Sequence, residues 1–173
     1  CWYAPTAGMS SSKPAGDPAL LTALSRYLRS SVRSTHEARR FLRRRGVTAR
    51  QAARALALAR HRGAVDDRAC ARLWAEQWAR QGYADAAIRQ RLSAKGLSDA
   101  IIHGALTQHP ATAPDEARAR QVAAACLRRT QRRPRAQDAG RVARALASRG
   151  FDSDLIERIL AESRGPVLSD AER

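Results

Sequence analysis

The chain is poor in aromatic residues, in lysine and in acids. Phe, Trp and Tyr make up 5% of its 173 residues. A β-sandwich would need more aromatic and β-branched residues than this. The hydrophobic fraction of 44%, much of it alanine, suits close-packed helices with modest cores. There is no signal-peptide pattern, and no apolar run approaches the roughly 18 residues that a membrane-spanning helix needs. Cysteine is scarce too: Cys1, Cys70 and Cys126 lie far apart, with no CxxC pair and no histidine at zinc-ligand spacing. Cys70 and Cys126 sit inside amphipathic helical patterns and read as reduced, buried thiols, so a reducing cytoplasm is the expected location. The glycines fall at helix ends, which excludes a Gly-rich phosphate loop. His36, His61, His103 and His109 have no Cys, Ser or Asp at a spacing that would make a catalytic constellation. Asp66-Asp67 reads as a helix cap rather than a metal site. The expectation is a protein that is not an enzyme and uses neither metal nor cofactor.

Basic charge is abundant. There are 32 basic residues against 16 acids, giving a net charge of +16. Lys13 and Lys95 are the lysines; the other basic residues are arginine, a skew typical of GC-rich coding, which does not explain the two-to-one excess over acids. So basic a chain attracts polyanions over several Debye lengths at low salt, and nucleic acid leads the candidate partners on charge alone. The distribution is uneven. From Arg26 to Arg62 there are twelve arginines and one acid, Glu37, whereas Asp66 to His109 carries six basic residues and five acids. Asp115 to Glu162 carries eleven and seven, with a cluster RRTQRRPR at 128–135 that reads as an interhelical loop.

The helical pattern is legible throughout. Asp17-Pro18 opens a first helix with Leu20, Leu21, Leu24, Tyr27 and Leu28 on one stripe. Ser34-Thr35-His36-Glu37 is a capping box for a second, ended by Gly46, and Thr48-Ala49-Arg50-Gln51 is a box for a third. The stretch 38–56 then aligns without gaps on 88–106 and on 142–160. Leu42, Leu92 and Leu146 each stand four residues before Gly46, Gly96 and Gly150, and Val47, Leu97 and Phe151 follow those glycines. Apolar positions recur at Ala52, Ile102 and Ile156, and at Leu56, Leu106 and Leu160. A further helix precedes each aligned pair, over 66–81 with Ala69 or Cys70, Leu73, Trp74 and Trp78 inward, and over 114–130. Such periodicity signals tandem supersecondary units that bury their faces on one another. The expected fold is all-α: three tandem three-helix repeats forming an elongated, curved helical array. The repeats span 17–63, 64–109 and 110–163, between a disordered leader at 1–16 and a disordered tail at 164–173.

The second repeat carries a more specific signature. Val65, Asp66, Asp67, Ala71, Gly82, Tyr83, Ile88, Arg89, Gln90, Leu92, Lys95 and Gly96 match a pattern of the RecX family, the bacterial modulators of RecA recombinase. The resemblance extends over roughly 20–162 and includes Arg149-Gly150-Phe151. Two departures stand out: Cys70 replaces an aromatic residue, and Ala84, Asp85 and Ala87 replace a Gly-Pro-x-Arg stretch. What the resemblance implies is a regulator that binds RecA and its nucleoprotein filament on single-stranded DNA. It would lie in the filament groove and inhibit ATP hydrolysis, strand exchange and the co-protease activity that cleaves the SOS repressor. Duplex DNA is a further expected partner, the membrane is not one, and a monomer is expected.

The candidate surface for DNA or RecA comprises Arg39, Arg40, Arg43, Arg44, Arg45, Arg50 and Arg54 in the first repeat, and Arg89, Arg91 and Lys95 in the second. In the third it comprises Arg128, Arg129, Arg132, Arg133, Arg135 and Arg149. The plain alternative for Arg43–Arg45 is a solvated helix end that favours the dipole. Against it, residues 26–62 hold almost no acid to form i,i+4 partners. Trp74, Trp78 and Tyr83 would make a base-stacking platform, or more simply core. Two other classes stay open: a stand-alone helical DNA-binding protein, and a helical adaptor for an acidic protein.

Overall fold

The structure, a computed structural model, describes residues 18–107, 114–128 and 135–164. The expected leader, the tail beyond Arg164 and most of the RRTQRRPR cluster lie outside the described residues. Among the described residues are nine α-helices and no strand. Their order is α1 (Pro18–Arg29), α2 (Thr35–Arg44), α3 (Ala49–His61), α4 (Asp67–Arg80), α5 (Asp85–Ala94), α6 (Asp99–Thr107), α7 (Asp115–Arg128), α8 (Arg135–Ala147) and α9 (Ser153–Arg164). The chain divides into two compact units, 1–66 and 67–173.

In the first unit both capping boxes form. The Ser34 and Glu37 side chains each accept from the other's backbone N–H, at 3.1 and 3.0 Å, and Thr48 and Gln51 do the same at the start of α3. Leu24, Ala38, Leu42, Ala52, Ala55, Leu56 and Ala59 make the core. Val65, placed by sequence at the start of the second repeat, packs in this core instead.

The leucine–glycine frame is what the three aligned segments share. Leu42, Leu92 and Leu146 are all fully buried. Each leucine carbonyl accepts the N–H of the residue after the glycine, and the glycine N–H bonds one residue further along the helix. That pair of bonds is a Schellman motif, which requires the left-handed backbone seen at Gly46 (φ 71°), Gly96 (φ 73°) and Gly150 (φ 80°). The frame therefore ends the second helix of each repeat with the same hydrogen-bond pattern.

Two details differ from expectation. Leu73 is 52% exposed rather than inward. The face of α4 that meets α5 and α6 is an alanine stripe, Ala71, Ala75 and Ala79, flanked by Trp74 and Trp78, and Leu73 lies nearly opposite it. In α9, Leu155 and Ile159 are buried while Ile156 is half-buried, so this helix is rolled slightly relative to α3 and α6.

Within the second unit, the start of α5 is tied to α7 and to the α8–α9 turn. Ala84 has no side chain to cap α5. Its N–H donates to the Arg149 carbonyl at 3.0 Å, and the Asp85 N–H donates to the Asp115 carboxylate at 3.0 Å. Arg118, 3% exposed, pairs with Asp115 and, at 2.5 Å, with Asp85. Asp115 thus serves as a distant helix cap and as a partner of a buried cation. Asp115→Ala is expected to cost the second unit roughly 1.5–3 kcal/mol, the range for hydrogen bonds to charged groups, read as a lowered urea midpoint.

Candidate polyanion-binding surface

The candidate residues fall into three environments. Arg39, Arg40, Arg43, Arg44, Arg50 and Arg54 are exposed on α2 and α3, and Arg45 is exposed at the α2 C-cap. Their spacing follows from the buried positions: with Ala38 and Leu42 turned inward, 39/43 and 40/44 form two rows one helical turn apart. Such i,i+4 pairs of like charge destabilise a helix by about 0.2–0.5 kcal/mol each. No carboxylate occurs between Arg39 and Arg62 to offset them. Glu37 is occupied by the α2 cap and by Arg33 at 3.8 Å.

The third repeat handles charge differently. Arg120 bridges Glu162, at 3.0 Å through both Nε and Nη2, and Glu116 at 2.6 Å. The hydrogen bond to Glu162 pushes the Arg120 pKa up, and the same bond holds the Glu162 carboxyl below its ordinary value. Here arginines are neutralised internally. In the first unit Arg33 pairs with Glu37, whereas Arg39 to Arg62 lie in a segment without a carboxylate.

In the second environment, cations lie over aromatic rings. Tyr27 and Phe41 stack with centroids 4.1 Å apart, with the Arg33 guanidinium 4.8 Å from Tyr27 and that of Arg45 4.7 Å from Phe41. In the second unit Trp74 and Trp78 stack at 5.1 Å. Lys95 Nζ lies 4.2 Å from Trp74, and Arg91 lies 5.7 Å from Trp78 and 3.5 Å from Tyr83. Hydrogen bonding to Arg91 holds the Tyr83 phenol below its usual pKa. The tryptophans pack half-buried against the core, so they are core on one side and covered by cations on the other. A guanidinium stacked on a ring keeps its in-plane N–H donors for a phosphate, and the stacking restricts its rotamers beforehand.

Arg149 is in a third environment. It is half-buried, with Nη1 donating to the Ala145 carbonyl at 2.9 Å. Arg89 and Arg128 are exposed. Arg129, Arg132 and Arg133 lie outside the described residues, as does the side chain of Arg135. Three of the candidate residues, Arg45, Lys95 and Arg149, stand directly before the repeat glycines. Each of these side chains makes a specific contact.

Among the described residues no helix is long and apolar enough to cross a membrane, and no group of His, Cys, Asp or Glu could hold a metal ion. A family profile described as the second three-helix domain of RecX matches residues 66–106, and one for the third three-helix domain of RecX matches 114–160. Together they take in just over half of the chain. The chain belongs to the RecX family. Among solved structures, it is similar to RecX from Lactobacillus salivarius, with 18% identity and a TM-score of 0.66 over 84% of this chain and 94% of that one. It is also similar to a second crystal structure of regulatory protein RecX, with 24% identity and a TM-score of 0.63 over 82% and 70%. At these identities the likeness concerns the fold. No curated protein matches the chain. In this RecX-family chain the Ala84-Asp85-Ala87 departure falls at the α5 start, where Ala84 and Ala87 pack closely and Asp85 meets Arg118.

Proposed function

We propose that this protein binds RecA and the RecA filament on single-stranded DNA and inhibits its recombinase, ATPase and co-protease activities. In doing so it modulates DNA repair and the SOS response in the cytoplasm, acting as a monomer without chemistry of its own. Membership of the RecX family supports the regulatory role. The observation that carries the contact is the group of exposed arginines of the first unit, Arg39, Arg40, Arg43, Arg44, Arg45, Arg50 and Arg54 among them, with no carboxylate between Arg39 and Arg62. A surface that keeps uncompensated like charge at a cost in stability gains when a polyanion neutralises it. The test is RecA ATPase turnover on single-stranded DNA with added protein. The expected result is a fall in turnover that approaches completion near stoichiometric amounts; unchanged turnover at excess would sink the proposal. Tight, sequence-dependent duplex binding without RecA would instead favour a stand-alone DNA-binding protein.

A further inference from the structure

A cavity of about 390 Å³ opens in the second unit where the α4–α5 turn meets α7 and α8. Four arginines line it, Arg80, Arg118, Arg141 and Arg149, and among the described residues no carboxylate does. Arg118 is 97% buried; its Nη2 is held by Asp85 and Asp115, while its buried Nε–H has no acceptor. Arg149 is in the same condition: Nη1 bonds the Ala145 carbonyl and the buried Nε has no acceptor. An unsatisfied buried donor costs about 1–3 kcal/mol, more when it belongs to a charged group. Each such donor calls for an acceptor that the protein does not itself supply, and the arginine-lined cavity beside them offers room for an anion. The wall is held close by Gly82, where a Cβ would come within 2.5 Å of Val122 Cγ2 and 3.7 Å of Arg149 Nε.

We propose that this cavity binds the phosphate group of a small molecule of nucleotide size. Guanidinium groups match phosphate oxygens in charge and in hydrogen-bond geometry. The volume lies in the range of ligand pockets and would be largely empty around a bare inorganic phosphate. The two carboxylates on Arg118 fix its orientation, leaving Nε as the donor to be satisfied. The site is separate from the exposed arginines of α2 and α3, and its test needs no recombinase.

The test is calorimetric titration of the full chain with ADP, with inorganic pyrophosphate and with adenosine, at about 0.15 M salt so that diffuse attraction is screened. ADP and pyrophosphate are expected to bind saturably at one site per chain, and adenosine not at all. Tighter binding of ADP assigns a nucleotide as the source of the phosphate; equal affinity assigns a free polyphosphate. Arg141→Gln and Arg149→Gln should each weaken binding at least tenfold, and Arg26→Gln, at an exposed position of the first unit, less than twofold. If Arg149→Gln fails to melt cooperatively, Arg141→Gln carries the test. Absence of saturable binding, an equal loss in Arg26→Gln, or displacement of ADP by an oligothymidylate would each overturn the proposal, the last by giving the cavity to DNA backbone.

Discussion

Reversing Arg43, Arg44 and Arg45 to glutamate is expected to weaken binding of the RecA–single-stranded DNA filament roughly a hundredfold, while the folded first unit persists. Each single-strand phosphate contact contributes about 0.7 to the slope of log K against log salt. Three lost contacts reduce affinity by roughly one and a half to two decades near physiological salt, before the repulsion of the new carboxylates is added. The stability side is smaller. Arg43 and Arg44 are exposed on α2, and their removal relieves like-charge repulsion with Arg39 and Arg40. Arg45 gives up its position over Phe41, at about 0.5–1 kcal/mol, and the end of α2 loses favourable charge near its dipole at a similar cost. Leu42→Ala supplies the opposite case. Leu42 is fully buried, so its truncation should cost about 2–5 kcal/mol and leave binding intact wherever the unit is still folded. Filament binding by anisotropy and unfolding by urea would separate the two effects. A fall of about 2 in the salt slope of the triple variant assigns the arginines to phosphate, and a loss seen only with RecA present assigns them to protein. Matching losses of binding and stability would sink the surface reading.

Much of this was legible because it depends on local rules. Capping boxes, the Leu-x-x-x-Gly frame and a period near fifty residues are patterns of single positions, and each corresponds to a hydrogen bond or a buried side chain. Alanine was harder to read. Ala55, Ala71, Ala75, Ala79 and Ala105 are core, yet alanine is equally at home on an exposed helix face, so Leu73 looked the better inward candidate on α4. Burial by close approach leaves little mark in hydropathy. The second unit's internal junction was not legible either. Asp85, Asp115 and Arg118 are 30 or more residues apart at their widest, and nothing in their local spacing announces a shared hydrogen-bond network. The arginine-lined cavity has the same origin, since Arg80 and Arg118 reach Arg141 and Arg149 through tertiary packing.

The repeat glycines offer the sharpest comparison, because one sequence pattern here has two physical meanings. Gly46→Ala and Gly150→Ala both force a side chain into left-handed backbone, at roughly 1–2 kcal/mol. At Gly46 an added Cβ meets nothing within 4 Å. At Gly150 it would stand 2.7 Å from the Ala87 Cβ, at the start of α5, where the structure must shift. Overpacking of that kind adds about 1–3 kcal/mol, so Gly150→Ala is expected to lose about 2–5 kcal/mol in total against 1–2 for Gly46→Ala. Hydrogen exchange would read the two units separately, with protection lost mainly in the first for Gly46→Ala and more deeply in the second for Gly150→Ala. Ala87→Gly provides the internal check. Alone it costs up to about 1 kcal/mol of helix propensity, but combined with Gly150→Ala it removes the clashing methyl. The double variant should therefore be more stable than the sum of the single losses allows, and strictly additive losses would show that Gly150 is required for its backbone angle alone.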